Sequence, residues 1–399
     1  MAGGEATLSG TYPPFCSTSG KLPLVGVADG GPDLWVRGEG ARFWDRAGRA
    51  WLDFDLCLGS VVWGHGREEI VAAAGRVPAG APTVPSIIEE EATQTLLARL
   101  DRYEAVRFFK TGADSCAVAI RLARQATGRD LVLSDGYHGW HDWSAAGAYS
   151  EAPEPLGIPD AVAGLTVTLN PSLGPQAAMT VLNEVGSRLA AMVVRPEAWP
   201  AVALQELVER ARRLGAVIIC DEVTSHLKYS RLGSAAERGA EPDMICIGKG
   251  LANGMPVAAL LGPSALVDRL ESARISSTNW SEIWSLAGLI AAEALLAGAP
   301  VWPSWRNELA RVVDALSGLV EELAPGGEFA LVAHPGFFSI ERRGRSFRSD
   351  PFRRHLASEL GRRGLYTRGW FHGSDAHCPG DWDRLEEALS GAMLAWCGR

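Results

Sequence analysis

Residues 216–262 contain three short apolar runs, AVIICDE (216–222), DMICIGKG (243–250) and VAALLG (257–262). The same kind of run occurs upstream, where it alternates with stretches whose apolar residues recur at helical spacing. The upstream runs are AVRFF (105–109), DLVLSD (130–135) and AAMVV (190–194), and the helical stretches include DSCAVAIRLARQATG (114–128) and LQELVERARRLG (204–215). This alternation predicts an α/β fold with a mostly parallel sheet covered by helices on both faces.

The residues on either side of this region predict a second, smaller α+β domain. Residues 34–55 alternate large apolar residues with charges around Gly40 and Gly48, which is typical of short strands. The C-terminal part predicts a helix (305–323), a strand-like run (329–340), a helix (351–363), a short strand (365–371) and a helix from Asp383. We therefore expect an N-terminal segment that joins the small domain (1–60), a large domain (61–301) and a C-terminal small domain (302–399).

The composition excludes several classes of protein. The 399 residues are 47 % hydrophobic and 21 % charged with a net charge of -9, and the scattered basic residues argue against a nucleic-acid partner. The seven cysteines form no C-x-x-C pair, which indicates a reducing compartment rather than a disulfide framework or a zinc cluster. The apolar stretches 257–267 and 286–301 are interrupted and too short for a bilayer, and no signal peptide is evident. We expect a cytoplasmic protein without a membrane partner.

Lysine is rare in this chain, and one lysine stands at the end of a predicted strand. Only four of the 38 basic residues are lysines, Lys21, Lys110, Lys228 and Lys249. Lys249 is flanked by Gly248 and Gly250 between two apolar runs, where partial desolvation makes an amine a usable nucleophile toward a carbonyl. A solvent-exposed turn lysine is the alternative. The preference for arginine elsewhere favours a lysine that must lose its proton, since a guanidinium cannot.

An acidic pair, Asp221 and Glu222, follows the most buried-looking run. Carboxylates at the end of a central strand are costly to bury unless they meet a cation, a metal or a protonated ring nitrogen. A magnesium-binding acid is disfavoured because the chain lacks a P-loop. In parallel sheets ligands collect at the carboxyl ends of strands, so the loops after Phe109, Ser134, Cys220 and Ile247 are the ones of interest.

Two segments are suited to an anion. The sequence Lys110-Thr111-Gly112-Ala113-Asp114-Ser115 begins a helix with small residues, whose N–H groups can hold a phosphate, although a plain helix cap explains it equally well. The hydroxyl-rich stretch Ser276–Trp280 precedes another helix and has the same two interpretations.

Aromatic residues follow the DLVLSD run in Tyr137-His138-Gly139-Trp140. A ring on a loop at this edge can stack on a flat ligand. The spacing of His138 and His141 suggests a metal, but no third ligand is close, so we expect none. An anion nest, a stacking ring, an acid for a ring nitrogen and a Schiff-base lysine together point to pyridoxal 5'-phosphate.

With these residues in place, the chain resembles the class III, fold-type I pyridoxal-phosphate aminotransferases, the group that includes glutamate-semialdehyde aminomutase and the ω-aminotransferases. The resemblance covers nearly the whole chain, through GARFWDRAGRAWLDFD, GHGREEIVAAA, FFKTGADSCAVAIRLARQATGRD, YHG, DEV and PDMICIGKGLANGMPVAALLG. It implies a large domain built on a mostly parallel sheet of the seven-stranded type and a smaller α+β domain.

The resemblance also implies roles for individual residues. Lys249 would form the Schiff base and move the substrate proton, and Asp221 would pair with the ring nitrogen. Tyr137 and Val223 would pack on the two ring faces, with His138 behind Asp221. The phosphate contacts would come from the remaining residues, Gly112, Ala113 and Thr278, with Thr278 acting on the partner subunit of a homodimer.

The chain departs from the family pattern at three places. Ala113 stands where a hydroxyl residue is common, Ser277 replaces Thr278 if the register shifts by one, and residues 224–228 read TSHLK instead of the usual small-Gly-aromatic-Arg stretch. Residues with no assigned role, Arg195, Arg342, Arg368, Trp140 and Trp199, are further candidates for lining a pocket.

Short strings such as WLDFD, GYHG and DEV followed by LKYS are similar to aminotransferases that act on oxidised aminoglycoside sugars in antibiotic pathways. We therefore expect an amino group to move from a donor such as glutamate to an aldehyde or ketone, with an oxidised sugar or aminocyclitol as acceptor. An aminomutase or epimerase acting on an amino sugar or amino acid is the alternative, because Lys249 and Asp221 would serve it equally well. A non-catalytic binding module is disfavoured, since both residues are retained.

Overall fold

The computed structural model describes residues 24–78, 82–149, 156–298, 303–343 and 350–398. They fall into two compact units. The large unit takes the described residues within Gly59–Val62 and Arg67–Val301, and the small unit takes those within Met1–Leu58, Trp63–Gly66 and Trp302–Arg399. No helix in the described ranges is long and apolar enough to cross a membrane.

The strands of the described residues belong to three sheets. They are β1 (Trp35–Glu39), β2 (Arg42–Asp45), β3 (Ala50–Asp53), β4 (Ala105–Phe109), β5 (Leu131–Ser134), β6 (Thr166–Thr168), β7 (Leu189–Val194), β8 (Val217–Asp221), β9 (Met244–Ile247), β10 (Ala258–Gly262), β11 (Phe329–His334), β12 (Phe337–Arg342), β13 (Leu365–Tyr366) and β14 (Trp370–His372).

The longer helices cover the sheets, and short helical turns connect them. The large unit has the helices Glu68–Arg76, Ile87–Arg99, Gly112–Thr127, Asp142–Ala148, Asp160–Ala163, Pro175–Val185, Ala201–Arg213, His226–Tyr229, Ser234–Glu237, Ser264–Val267 and Ile283–Gly298. The small unit has the helices Pro303–Leu323, Pro351–Arg362 and Pro379–Trp396. A left-handed turn, Leu56–Gly59, follows β3.

The large unit is built on a seven-stranded sheet with the order β4-β10-β9-β8-β7-β5-β6. Neighbouring strands from β9 to β6 pair in parallel, whereas β10 is antiparallel to both β4 and β9. All strands except β10 therefore end at one edge, which we call the carboxyl edge. The predicted α/β fold with a mostly parallel sheet is confirmed.

The core of the large unit lies on both faces of this sheet. In β7 every residue is buried, and successive side chains join opposite clusters: Met192 and Val194 pack with the Ala201–Arg213 helix, and Val193 packs with the Gly112–Thr127 helix. A strand buried on both faces needs apolar residues without alternation, which explains the continuous run in the sequence. The two layers of helices fix the strand ends rigidly.

The small unit contains the sheets β1-β2-β3-β13 and β11-β12-β14. Two predicted strands are wrong in detail. The run 329–340 is a hairpin, because the chain turns at Pro335 and Gly336 between β11 and β12. The stretch 365–371 is two strands in different sheets, since β13 pairs with β3 and β14 pairs with β12.

The last helix begins at Pro379, four residues before the predicted start at Asp383. Asp381 accounts for the difference, because its carboxylate accepts a hydrogen bond from the Cys378 N–H at 3.1 Å and so caps the first turn.

Candidate active site

Lys249 and Asp221 lie at the carboxyl ends of the neighbouring strands β9 and β8. Asp221 is the last residue of β8, and Lys249 begins a single helical turn two residues after β9. Lys249 has a left-handed backbone (φ 49°), which is uncommon for a residue with a side chain and concentrates at functional sites. Its Nζ lies 2.6 Å from Oγ1 of Thr224, in the loop that follows Asp221. The lysine amine is therefore held beside the loop of the acid.

Asp221 is buried, and its carboxylate is oriented by two contacts. Oδ2 lies 2.8 Å from Nδ1 of His138, and Oδ1 accepts the Val223 N–H at 3.0 Å. A carboxylate has about four acceptor positions, so these contacts leave capacity for one further donor.

His138 is fully buried between two carboxylates. Its Nε2 lies 3.1 Å from Oδ1 of Asp135, opposite the contact with Asp221, and its ring stacks on Trp143 with a centroid separation of 5.9 Å. Burial alone would lower the pKa of His138, but the hydrogen bonds and charges of Asp135 and Asp221 reverse this effect and raise it to about 9. The histidine is a cation at neutral pH.

The helix that begins at Gly112 presents N–H groups at the same edge. Thr111 and Asp114 form a reciprocal capping box, and the first intrahelical bond is donated by the N–H of Ser115. The N–H groups of Gly112 and Ala113 precede that bond and point out of the helix end, where the helix dipole favours an anion. Both sequence interpretations, the cap and the anion nest, are therefore compatible at this segment.

Close packing around this helix end requires glycine at two positions. A Cβ on Gly112 would lie 2.5 Å from Cγ2 of Val223, and a Cβ on Gly139 would lie 2.4 Å from that of Ala113. Val223 thus fits against the backbone of the helix start, and the Tyr137–Gly139 loop closes over it. The Tyr137 side chain is 48 % exposed and tilts against Tyr149.

Ser277 and Thr278 lie in an exposed segment. The segment is tied to the end of β4 by Trp280, whose ring packs edge-on against Phe109, and by Glu282, which pairs with Nζ of Lys110 at 2.6 Å. No hydrogen bond of the described residues joins Ser277 or Thr278 to the Asp221 cluster, and the choice between them stays a prediction.

Sequence reasoning missed Thr224, Asp135 and the role of Arg195. Thr224 belongs to a stretch that the sequence marked only as atypical, and Asp135 ends the DLVLSD run without a distinguishing partner nearby in sequence. Arg195 was one of several pocket candidates. In the part of the chain that the structure describes, no group of three or more His, Cys, Asp or Glu residues is arranged to hold a metal ion.

These residues fit one kind of ligand. The helix start can hold a phosphate, the glycine contacts keep the backbone close to it, Asp221 has capacity for a protonated ring nitrogen, and Lys249 supplies an amine. A flat pyridine ring with an aldehyde and a phosphate has this set of groups.

Comparison with known proteins agrees with this chemistry. The Aminotransferase class-III family model matches residues 30–323. The chain is 33 % identical over 269 residues to 2'-deamino-2'-hydroxyneamine transaminase from Streptomyces kanamyceticus, covering 65 % of this chain and 66 % of that protein. It is 31 % identical over 257 residues to glutamate-1-semialdehyde 2,1-aminomutase from Aquifex aeolicus, covering 60 % of each. The matched regions span slightly less than two thirds of these relatives.

A solved structure shares the fold. The crystal structure of an ω-transaminase from Sphaerobacter thermophilus superposes with a TM-score of 0.77 over 91 % of both chains, at 23 % sequence identity.

Proposed function

The chain belongs to the class III aminotransferases, a family whose cofactor is pyridoxal 5'-phosphate, and we propose that it transfers an amino group from an amino donor to an aldehyde or ketone. The observation that carries this proposal is the approach of the Lys249 amine to the loop of Asp221, at the edge where the Gly112–Thr127 helix begins. When bound, the cofactor supplies an electron-withdrawing ring that stabilises negative charge on the substrate carbon.

Each residue of the site has its own proposed role. The N–H groups of Gly112 and Ala113 would bind the phosphate, and Asp221 would accept a hydrogen bond from the ring nitrogen. Tyr137 and Val223 would contact the ring faces. The amine of Lys249, oriented by Thr224, would move a proton between the substrate carbon and the cofactor.

We propose an oxidised sugar or aminocyclitol as the acceptor and glutamate or a similar amino acid as the donor. The 33 % identity to a transaminase named for an aminoglycoside supports the acceptor class. An aminomutase is the second candidate, because the glutamate-1-semialdehyde 2,1-aminomutases are similarly close at 31 % identity. An aminotransferase and an aminomutase would use Lys249 and Asp221 in the same way, but only the aminotransferase needs a separate amino donor.

We further propose a homodimer in which Ser277 or Thr278 reaches the phosphate bound by the other subunit. The exposure of both hydroxyls, on a segment fixed to the end of β4, supports this arrangement.

Absorbance of the purified protein tests the proposal. We expect a visible band with bound cofactor, its loss in Lys249→Ala and Lys249→Arg, and attachment of the cofactor to Lys249 after borohydride reduction, read by mass spectrometry. The arginine variant is the matched control, because it keeps the positive charge and removes the amine that can be deprotonated. Circular dichroism shows whether both variants fold.

The response to substrates separates the two candidates. Bleaching of the visible band by an amino acid alone supports an aminotransferase and identifies the donor class. Rearrangement of an amino substrate without any donor supports the aminomutase. A folded wild-type protein that shows no visible band with added cofactor would contradict both.

A further inference from the structure

Asp135, His138 and Asp221 form a continuous buried line at the carboxyl edge. His138 contacts Asp221 through Nδ1 at 2.8 Å and Asp135 through Nε2 at 3.1 Å. Asp135 ends the DLVLSD run after β5 and Asp221 ends β8, so two strands that are not neighbours in the sheet are joined through one imidazole. The proposed ring acid therefore has a partner, and that partner has a second carboxylate behind it.

Asp135 is itself held by three further donors. Its Oδ2 accepts the N–H of Arg195 at 3.0 Å and Nε1 of Trp199 at 2.8 Å, and its Oδ1 lies 3.3 Å from Nε of Arg195. The Arg195 side chain also donates from Nη2 to the carbonyl of Asp135 at 2.8 Å. Gly136 leaves room for this guanidinium, because a Cβ there would lie 3.0 Å from Nη2.

These contacts keep Asp135 ionised despite its burial. Burial raises the pKa of a carboxyl group, but the charges of Arg195 and His138 outweigh that effect and hold the pKa of Asp135 below its usual range. Asp135 is therefore a fixed negative charge whose position does not depend on solvent.

The two carboxylates decide the protonation state of the imidazole between them. A neutral imidazole has one N–H, so one of its nitrogens would present a lone pair to a carboxylate oxygen. Only the doubly protonated ring, which is a cation, presents an N–H to each of the two carboxylates. With Asp135 removed, that requirement disappears.

Other titratable groups lie around Asp135, His138 and Asp221. They are Cys116, Arg195, Glu197, Cys220, Cys246 and Lys249. The hydrogen bond with Cys246, together with burial, raises the pKa of the Cys116 thiol, and burial raises that of Cys220, so both thiols are neutral. Burial also raises the pKa of Glu197 to about 7, partly opposed by Arg195, so Glu197 changes charge near neutrality and needs its own control.

We propose that Asp135 is a positioning residue which, clamped by Arg195 and Trp199, keeps His138 protonated through the ion pair at Nε2 and thereby fixes the orientation and charge of Asp221 toward the cofactor ring nitrogen. The effect of Asp221 on the cofactor rests on the proposed function. The effect of Asp135 on the protonation of His138 concerns the protein alone. The chain of contacts acts on the cofactor without touching it.

Asp135→Asn tests the inference, with Asp130→Asn as matched control. Asp130 is exposed at the opposite end of the same strand, so the same chemical change there leaves His138 untouched. We expect histidine NMR, with the His138 signal identified by its absence in His138→Gln, to give a wild-type titration midpoint near 9. Asp135→Asn should lower that midpoint by at least about one unit, and neither Asp130→Asn nor Glu197→Gln should do so.

A second measurement concerns the cofactor. The dissociation constant for pyridoxal phosphate should rise about 10- to 100-fold in Asp135→Asn, as for other residues that orient a ligand-binding group. Asp135→Glu, which keeps the charge, should restore most of the affinity. A merely structural role would lower the melting temperature of Asp135→Asn without moving the His138 midpoint.

The outcomes separate this inference from the proposed function. A wild-type protein with a visible band, whose His138 midpoint and cofactor affinity are unchanged in Asp135→Asn, overturns the inference and leaves the function standing. A wild-type protein without a visible band contradicts the function, while the NMR midpoint still decides the state of His138. If Asp135→Asn does not fold, a wild-type midpoint below about 7 overturns the inference.

Discussion

Two buried histidines of the large unit, His138 and His226, have opposite electrostatic surroundings. His138 lies between the carboxylates of Asp135 and Asp221. His226 contacts Oε2 of Glu222 through Nδ1 and the guanidinium of Arg99 through Nε2, both at 2.9 Å. Because a guanidinium only donates, Nε2 of His226 must accept, and the ring is neutral with its proton on Nδ1.

The pKa values follow the partners rather than the burial. Burial lowers the pKa of both histidines. The carboxylates of Asp135 and Asp221 raise that of His138 to about 9, whereas at His226 the charge of Arg99 adds to burial against Glu222 and Glu293, and the pKa stays below its usual value. The two histidines therefore differ because the Arg99 guanidinium lies against His226, whereas both ring nitrogens of His138 face carboxylates.

Asp221 and Glu222, the two residues of the acidic pair, also differ in their hydrogen-bond partners. Asp221 has acceptor capacity left at the carboxyl edge, whereas Glu222 accepts the N–H groups of Ser234 and Ala235 in addition to His226. Arg99 continues that second network to Glu293 through two bonds of 2.7 and 2.8 Å. One carboxylate of the pair therefore keeps an acceptor position for a further donor, and the other holds the loop after β8.

Exchanging each acid of the pair for its amide gives the largest expected effects and the sharpest test of the comparison. Asp221→Asn should lower kcat/KM by about 10²- to 10³-fold with a nearly unchanged melting temperature, because a charge that acts on the reacting ring is lost. Glu222→Gln should lower the free energy of unfolding by about 3 kcal/mol, because an amide N–H₂ then faces a backbone N–H inside a buried ion network.

The readouts are steady-state kinetics per folded molecule and denaturant unfolding, applied to both variants. Each variant serves as the control of the other, since the residues are adjacent and the substitutions alike. A Glu222→Gln protein that is stable but inactive would contradict the division of roles.

His138 and His226 should also affect the free energy of unfolding on opposite sides of neutral pH. The folded pKa of His138 lies above its unfolded value near 6.5, so its contribution is complete below pH 6.5 and is lost as the pH rises through about 9. The folded pKa of His226 lies below the unfolded value, so its contribution is present above pH 6.5 and is lost as the pH falls. Each histidine changes the free energy of unfolding by up to about 1.4 kcal/mol per pH unit.

Urea unfolding between pH 5 and 9.5 measures both limbs. His138→Gln should flatten the alkaline limb relative to wild type, and His226→Gln should flatten part of the acid limb. The acid limb keeps a second contribution from His377 of the small unit, where burial lowers the pKa to about 4. Equal slopes in wild type and His138→Gln above pH 7 would show that His138 is not a cation in the folded protein.

The sequence predicted the layers of the fold because apolar runs and helical periods are local signals. It also predicted that Lys249, Asp221 and the Gly112 helix start lie at the ends of strands, as they do. The sequence did not predict the contacts that these segments make with residues far away in the chain. Arg195 meets Asp135 across 60 residues of chain, and Thr224 meets Lys249 across 25, so neither pairing leaves a short-range pattern.

Local signals also failed in the small unit for a physical reason. The residues 365–371 have the composition of one strand, but Gly369 adopts a positive φ of 94° and the two halves pair with different sheets. Which partner a short strand finds is decided by tertiary packing rather than by its own residues.

Substitution of Gly233 or Gly139 should give the smallest effects. These two glycines compare the backbone near Glu222 with the backbone near the Gly112 helix start. A Cβ on Gly233 would lie 2.0 Å from Oε2 of Glu222, inside the holding network, whereas a Cβ on Gly139 would press on Ala113 at the anion nest. Both have positive φ, of 95° and 118°. Gly233→Ala should lower the free energy of unfolding by about 1–3 kcal/mol and leave cofactor affinity unchanged.

Gly139→Ala should instead weaken cofactor binding about tenfold, because the Tyr137–Gly139 loop must move away from the helix start, where one lost phosphate contact is worth about 1.4 kcal/mol. Gly128→Ala is the control, since Gly128 ends the same helix with a positive φ of 66° and no atom within 4 Å of its Cβ position. It should cost about 1 kcal/mol of stability and nothing in affinity. If Gly128→Ala loosened the cofactor as much as Gly139→Ala, the effect would come from the helix as a whole, and the close packing at the nest would have no separate role.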